Sequence, residues 1–79
     1  MRILYFAQAR LTTGRSEEEI SSSKPMAAEN FWKLLIEKHP SLLPLQSSCR
    51  IAKNGFFLQT GQKLNPQDEV AVLPPVSGG

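Results

Sequence analysis

Seventy-nine residues supply one hydrophobic core and too little chain for a second, with 41% apolar and 20% charged side chains excluding disorder for the body of the chain. The formal charge is +2, and nine Lys and Arg are scattered from Arg2 to Lys63, which gives nucleic acid no dense basic run to hold. One cysteine, Cys49, and one histidine, His39, exclude an internal disulfide and a Cys/His zinc site within the chain, and no apolar run approaches the ~20 residues of a membrane span.

Residues 1–7 form an apolar stretch far too short for a signal peptide, so a cytoplasmic address is the expectation. Residues 2–9 read as a strand, with Ile3, Tyr5 and Ala7 on one face and Leu4 and Phe6 on the other. Both faces are apolar, as in a strand that is covered on both sides or keeps one side for a partner. Thr12-Thr13-Gly14 is a turn, and residues 15–21 return as an edge strand whose run Glu17-Glu18-Glu19 reads as solvated.

From Met26 to Lys38 the period changes to that of a helix. Ala28, Phe31 and Leu35, with Ala27 and Leu34 alongside, form its apolar stripe, and Trp32 and Ile36 form a narrower row suited to packing. Pro25 fits the first turn, Lys38 and His39 suit the negative end of the dipole, and Pro40 stops the helix. Residues 41–46 read as one further helical turn. Residues 49–52 are a third strand, Asn54-Gly55 a hairpin turn and residues 56–58 a fourth strand. Residues 69–73, apolar on both faces, make the last strand, at the centre of a sheet. The expected architecture is α+β: a mixed sheet of four to five strands with one main helix packed on one face, in a single domain over residues 1–79.

The sequence closes with Pro74-Pro75-Val76-Ser77-Gly78-Gly79. Two prolines favour a stiff, extended path, and residues 74–79 reach about 20 Å. Glycines carry no Cβ to clash with a narrow cleft. A carboxylate at Gly79 becomes an electrophile once ATP converts it to an acyl-adenylate. An amine then gives an amide tag, and a sulfur donor gives a thiocarboxylate. The plain alternative for such a tail is a frayed end.

Phe6-Ala7-Gln8-Ala9-Arg10, Asn54-Gly55, and Asp68-Glu69-Val70-Ala71-Val72 running into the Pro-Pro-Val-Ser-Gly-Gly tail resemble the small subunit of molybdopterin synthase. Phe31-Trp32-Lys33 and His39-Pro40-Ser41-Leu42 resemble that family's helix and its exit, whereas Lys53 and Met26 depart from its usual residues. The resemblance implies a β-grasp, ubiquitin-like fold. It also implies that Gly79 is adenylated by an enzyme like the one that charges ubiquitin, thiocarboxylated with the help of a sulfur donor protein, and threaded into the large synthase subunit. There it would give sulfur to cyclic pyranopterin monophosphate. The carrier would bind no cofactor itself, and ATP would belong to the activating enzyme. A carrier for thiamin thiazole synthesis and a ubiquitin-like protein modifier are the alternatives.

Gly79 is therefore the expected reacting residue, with Gly78, Ser77, Val76, Pro75 and Pro74 as the inserted tail. Leu4 and Phe6 on the first strand and Ala71 and Leu73 on the last would form one apolar docking patch if the two strands are neighbours; the alternative is plain core. Arg10 matches a position in the family where a polar contact to the partner fits, against the alternative of a solvated arginine. Cys49 and His39 read as a packed strand residue and a helix-end residue rather than catalysts.

Overall fold

The computed structural model describes residues 1–75. Strand β1, Arg2–Tyr5, alternates as its sequence demands: Ile3 and Tyr5 are buried, Arg2 is exposed and Leu4 half-buried. The strand ends there rather than at residue 9. Ala7 turns the chain with a positive φ of 48°, and residues Ala7–Thr13 form helix α1, which turns only Ala9 into the core. Gly14 belongs to this helix as its left-handed C-cap, φ 75°, donating its N–H to the Arg10 carbonyl at 2.9 Å. The expected long first strand and its Thr-Thr-Gly turn are thus corrected to a short strand followed by a capped helix.

β2, Glu17–Glu19, returns antiparallel along the edge of β1. Met26–Ala27 forms a two-residue strand β3, so helix α2 spans Ala28–Lys38 and begins two residues later than the period suggested, leaving Pro25 outside its first turn. A 3-10 turn, Pro40–Leu45, follows and buries Leu42. β4 is Arg50–Lys53, β5 Phe56–Phe57, β6 Lys63–Leu64 and β7 Glu69–Leu73. Asn54 and Gly55 between β4 and β5 both have positive φ, 49° and 90°, which makes the two-residue hairpin turn that matches strand twist.

The main sheet has the order β2-β1-β7-β4-β5, and β3 pairs with β6 in a separate two-stranded ladder. β1 and β7 are parallel; the other pairs of the sheet are antiparallel. β7 is central, which explains its apolar character on both faces. Helix α2 lies across one face. There Ile3, Tyr5, Ile51, Val70 and Val72 from the sheet meet Phe31, Trp32 and Leu35 from α2, with Leu42 and Leu64 closing the ends. Mixed sheet, single covering helix and parallel central pair make this the β-grasp arrangement in two layers.

Glu18 corrects the reading of the acidic run. Its neighbours on β2 are solvated, but its own side chain is only 10% exposed. It accepts a hydrogen bond from the Tyr5 phenol at 2.8 Å, and Nε2 of His39 lies 2.8 Å from the same oxygen. Arg15 lies 3.4 Å and Lys38 3.9 Å from the other oxygen. Burial pushes this carboxyl up, but the hydrogen bonds from His39 and Tyr5 prevail and hold it below the ordinary carboxylate range. His39 also packs edge-on against Tyr5, with ring centroids 5.9 Å apart. This is a structural tie between β2, β1 and the end of α2.

Candidate partner-docking face and tail root

With α2 on one face, the other face of the sheet has no covering element among the described residues, and the register decides which side chains occupy it. Leu4 lies beside Ala71 across the parallel pair, Ala71 opposite Ala52, Leu73 opposite Arg50, and Ala52 opposite Phe57. Phe6 continues the alternation of β1 in extended backbone and is 45% exposed. Leu4, Phe6, Ala71, Leu73 and Phe57 therefore form one apolar surface, with Ala52 buried beneath it at 7% exposure. Towards the other end of this face the character changes: Arg2 pairs with Glu17 at 2.6 Å and with Glu69 at 3.6 Å.

β7 leaves the sheet at the apolar end. Pro74 is buried and Pro75 exposed. Around them lies an open groove of ≈ 370 Å³ lined by Ser48, Arg50, Phe57, Leu73, Pro74 and Pro75. The Arg50 guanidinium carbon stands 3.7 Å from the centroid of the Phe57 ring. Helix α1 follows β1, which runs parallel to β7, so exposed Arg10 stands at the same end of the sheet, on the opposite flank of the departing tail. The arrangement can offer a partner an apolar surface beside the point where Pro74 and Pro75 leave the sheet.

The chain matches the ThiS family over residues 3–79. It is 34% identical to the human molybdopterin synthase sulfur carrier subunit over 82 residues, an alignment that covers 100% of this chain and 93% of the relative. The chain belongs to the ThiS family, among the molybdopterin synthase sulfur carrier subunits. For the fold alone, SAMP1 of Haloferax volcanii superimposes with a TM-score of 0.82 at 22% identity, covering 99% of this chain and 97% of that one. A chain of the complex between subunits 1 and 2 of the Helicobacter pylori molybdopterin-converting factor gives a TM-score of 0.69 at 19% identity, covering 99% and 96%. Both likenesses place the sheet and helix of this ThiS-family chain among ubiquitin-like folds.

Of the residues singled out in the sequence, Leu4, Phe6, Ala71 and Leu73 come together on the uncovered face; Pro74 follows them buried and Pro75 exposed. Arg10 shares their end of the sheet. Val76, Ser77, Gly78 and Gly79 lie outside the described residues. Ala52, Phe57 and Arg50 went unrecognised at this face. Counting outwards from Asn54-Gly55 finds two of them, since a two-residue hairpin turn sets Ala52 opposite Phe57. Cys49 is half-buried just before β4, where burial pushes its thiol up, as befits a packing residue rather than a nucleophile. No helix among the described residues is long and apolar enough to cross a membrane.

Proposed function

We propose that this chain carries sulfur for molybdopterin formation on the carboxyl group of Gly79. The carboxylate attacks the α-phosphorus of ATP on an adenylating enzyme, pyrophosphate leaves, and an acyl-adenylate forms. Sulfide-level sulfur from a donor protein displaces AMP and leaves a thiocarboxylate. The loaded tail enters the large subunit of molybdopterin synthase, where its sulfur attacks cyclic pyranopterin monophosphate; water then cleaves the acyl–sulfur bond, leaving the sulfur on the pterin and Gly79 as the carboxylate. ATP is used by the loading enzyme, the carrier binds no cofactor, and the cycle runs in the cytoplasm.

The observation that carries this reading is the match to a sulfur carrier subunit along the whole chain, 34% identical to the human one. The word subunit in that relative's name, and the Helicobacter pylori complex of subunits 1 and 2, support a second subunit as partner. The fold supports a division of labour. The apolar face supplies docking area, at about 25 cal/mol for each Å² removed from water before the costs of association. Pro74 and Pro75 stiffen the exit, which reduces the freedom lost when the tail is threaded, and Gly78 leaves the reacting carbon unhindered. General acids and bases for the pterin chemistry come from the large subunit.

The test is reconstitution of the full chain with adenylating enzyme, ATP and sulfur donor, followed by intact-mass measurement. Replacement of one oxygen by sulfur at the C-terminus, dependent on ATP, is the expected result. A protein that keeps its carboxylate under these conditions, while a known carrier subunit is loaded in parallel, overturns the reading.

A further inference from the structure

Arg50 opens β4 on the uncovered face, directly across the ladder from Leu73, the last residue of β7. Its guanidinium is stacked on Phe57, 3.7 Å from the ring centroid. An arginine lying on an aromatic face keeps its planar fork of N–H donors oriented outward, and it loses less freedom when an acceptor arrives. Phe57 is itself 46% exposed, so the stacked pair forms a ridge beside the tail root rather than part of the core.

Among the described residues, the charge of Arg50 has no counter-charge. Arg2 is paired with Glu17 and Glu69, and Arg15 with Glu18, whereas no ion pair among the described residues involves Arg50. Leu73, Pro74 and Pro75 share its groove. Any protein that closes around the tail at this point covers Arg50 too. A guanidinium taken out of water without a counter-charge is strongly unfavourable, so the covering surface has to bring an acceptor. A carboxylate matches the fork in both charge and geometry.

Resting on the sulfur-carrier reading above, we infer that Arg50, held on Phe57, is a specificity-determining contact of this carrier, which takes a carboxylate on the lip of the large synthase subunit's tail cleft. The apolar face provides area common to many surfaces, and the Arg50–Phe57 ridge decides which surface is accepted. A partner with a neutral or basic lip at this place is rejected by an unpaired buried charge.

The experiment measures binding of the full, unloaded chain to the large subunit by calorimetry at low and high ionic strength. Arg50→Met keeps the apolar stem over Phe57 and removes the charge. It weakens binding roughly tenfold, as loss of one charge-assisted contact does, and flattens the fall of affinity with salt. Arg50→Glu weakens it further, Arg50→Lys retains part of the affinity, and Phe57→Leu lies between Lys and wild type. An Arg50→Met variant within about twofold of wild type, with the same salt dependence, overturns the contact. So does a variant that binds the large subunit normally but is no longer adenylated, because the carboxylate then belongs to the loading enzyme. Should Arg50→Met fail to unfold cooperatively, a wild-type affinity indifferent to salt overturns it instead. Failure of wild type itself to bind the large subunit removes the sulfur-carrier reading and this contact together, a result distinct from the others.

Discussion

Nε2 of His39 and Oε1 of Glu18 lie 2.8 Å apart, joining the end of the covering helix to the middle of the edge strand. The same Glu18 oxygen accepts the Tyr5 phenol at 2.8 Å, so one carboxylate holds three elements together. Glu18→Gln weakens both contacts inside a nearly closed site and lowers stability by about 1–3 kcal/mol at neutral pH, read by urea denaturation. The sign of the pH effect follows from the lowered native value. The carboxylate's contribution is fully present above the unfolded value of about 4.3 and is lost as pH falls through the lower native value. The difference between wild type and Glu18→Gln therefore narrows below about pH 4. A gap that stays constant down to pH ~3 would show that the stabilisation does not come from the ionised carboxylate.

A second clamp ties the β4–β5 turn to the start of β7. Asn54 donates its side-chain amide to Asp68 at 2.9 Å and accepts the backbone N–H of Glu69 at 2.9 Å. Burial pushes the Asp68 carboxyl up, but the N–H of Asn65, the amide of Asn54 and the charge of Lys53 together hold it low. Asn54 also sits at φ 49°, which asparagine tolerates better than alanine. Asn54→Gly removes the two hydrogen bonds but keeps the backbone, and costs about 1–2 kcal/mol. Asn54→Ala adds left-handed strain, for a total of about 2–3 kcal/mol. Equal costs for the two variants in chemical denaturation would show that the backbone conformation plays no part.

The elements that sequence alone revealed are those in which local pattern and tertiary packing agree. The helix stripe of Phe31 and Leu35, the Asn54-Gly55 turn and the two-faced apolar strand before Pro74 all lie where periodicity or turn chemistry put them. Helix α1 was hidden because Ala7 and Ala9 continue the alternation of β1. Gly14, which in sequence reads as part of a turn between strands, is the cap of that helix. Gln8-Ala9-Arg10-Leu11, good helix formers ahead of a glycine, were the available signal. The β3–β6 ladder has only two residues a side, too few to leave a period. Glu18 resembles its neighbours Glu17 and Glu19 in sequence, and only the arrival of Tyr5 and His39 from distant elements distinguishes it. The uncovered apolar face was legible in four residues because both strands alternate. Its extension to Phe57 depends on a pairing register.

Phe6 and Phe31 separate surface from core. Phe31 is fully buried under the sheet, and Phe31→Ala costs about 3–5 kcal/mol, a large share of the 5–15 kcal/mol that stabilises such a domain. Phe6 is 45% exposed. Phe6→Asp changes stability by no more than about 1 kcal/mol, yet it places a charge in the apolar face and weakens binding to the large subunit by tenfold or more, roughly the loss of a central contact. Thermal unfolding and calorimetric titration of the same samples give both readings. Loss of cooperative unfolding in Phe6→Asp would instead assign Phe6 to the core.

The strictest demand falls on the end of the chain. If Gly79 must sit at the reacting centre, its carboxyl carbon has to reach the α-phosphate in one protein and the pterin in another by the same path. The span available beyond Pro75 is four residues, about 13 Å when extended. Adding one alanine after Gly79 moves the carboxyl group by more than 3 Å and puts a Cβ where the cleft has been shaped for glycine. A misplacement of this size removes the benefit of a fixed geometry, worth 100-fold or more by the usual scale of about 1 Å errors. The appended variant is expected to unfold at the temperature of wild type and to dock its apolar face on the large subunit, because neither property involves the added residue. It should be neither adenylated nor able to support molybdopterin formation in a reconstituted assay. Normal activity with the extra residue still attached by mass would show that the reacting group lies elsewhere than on Gly79.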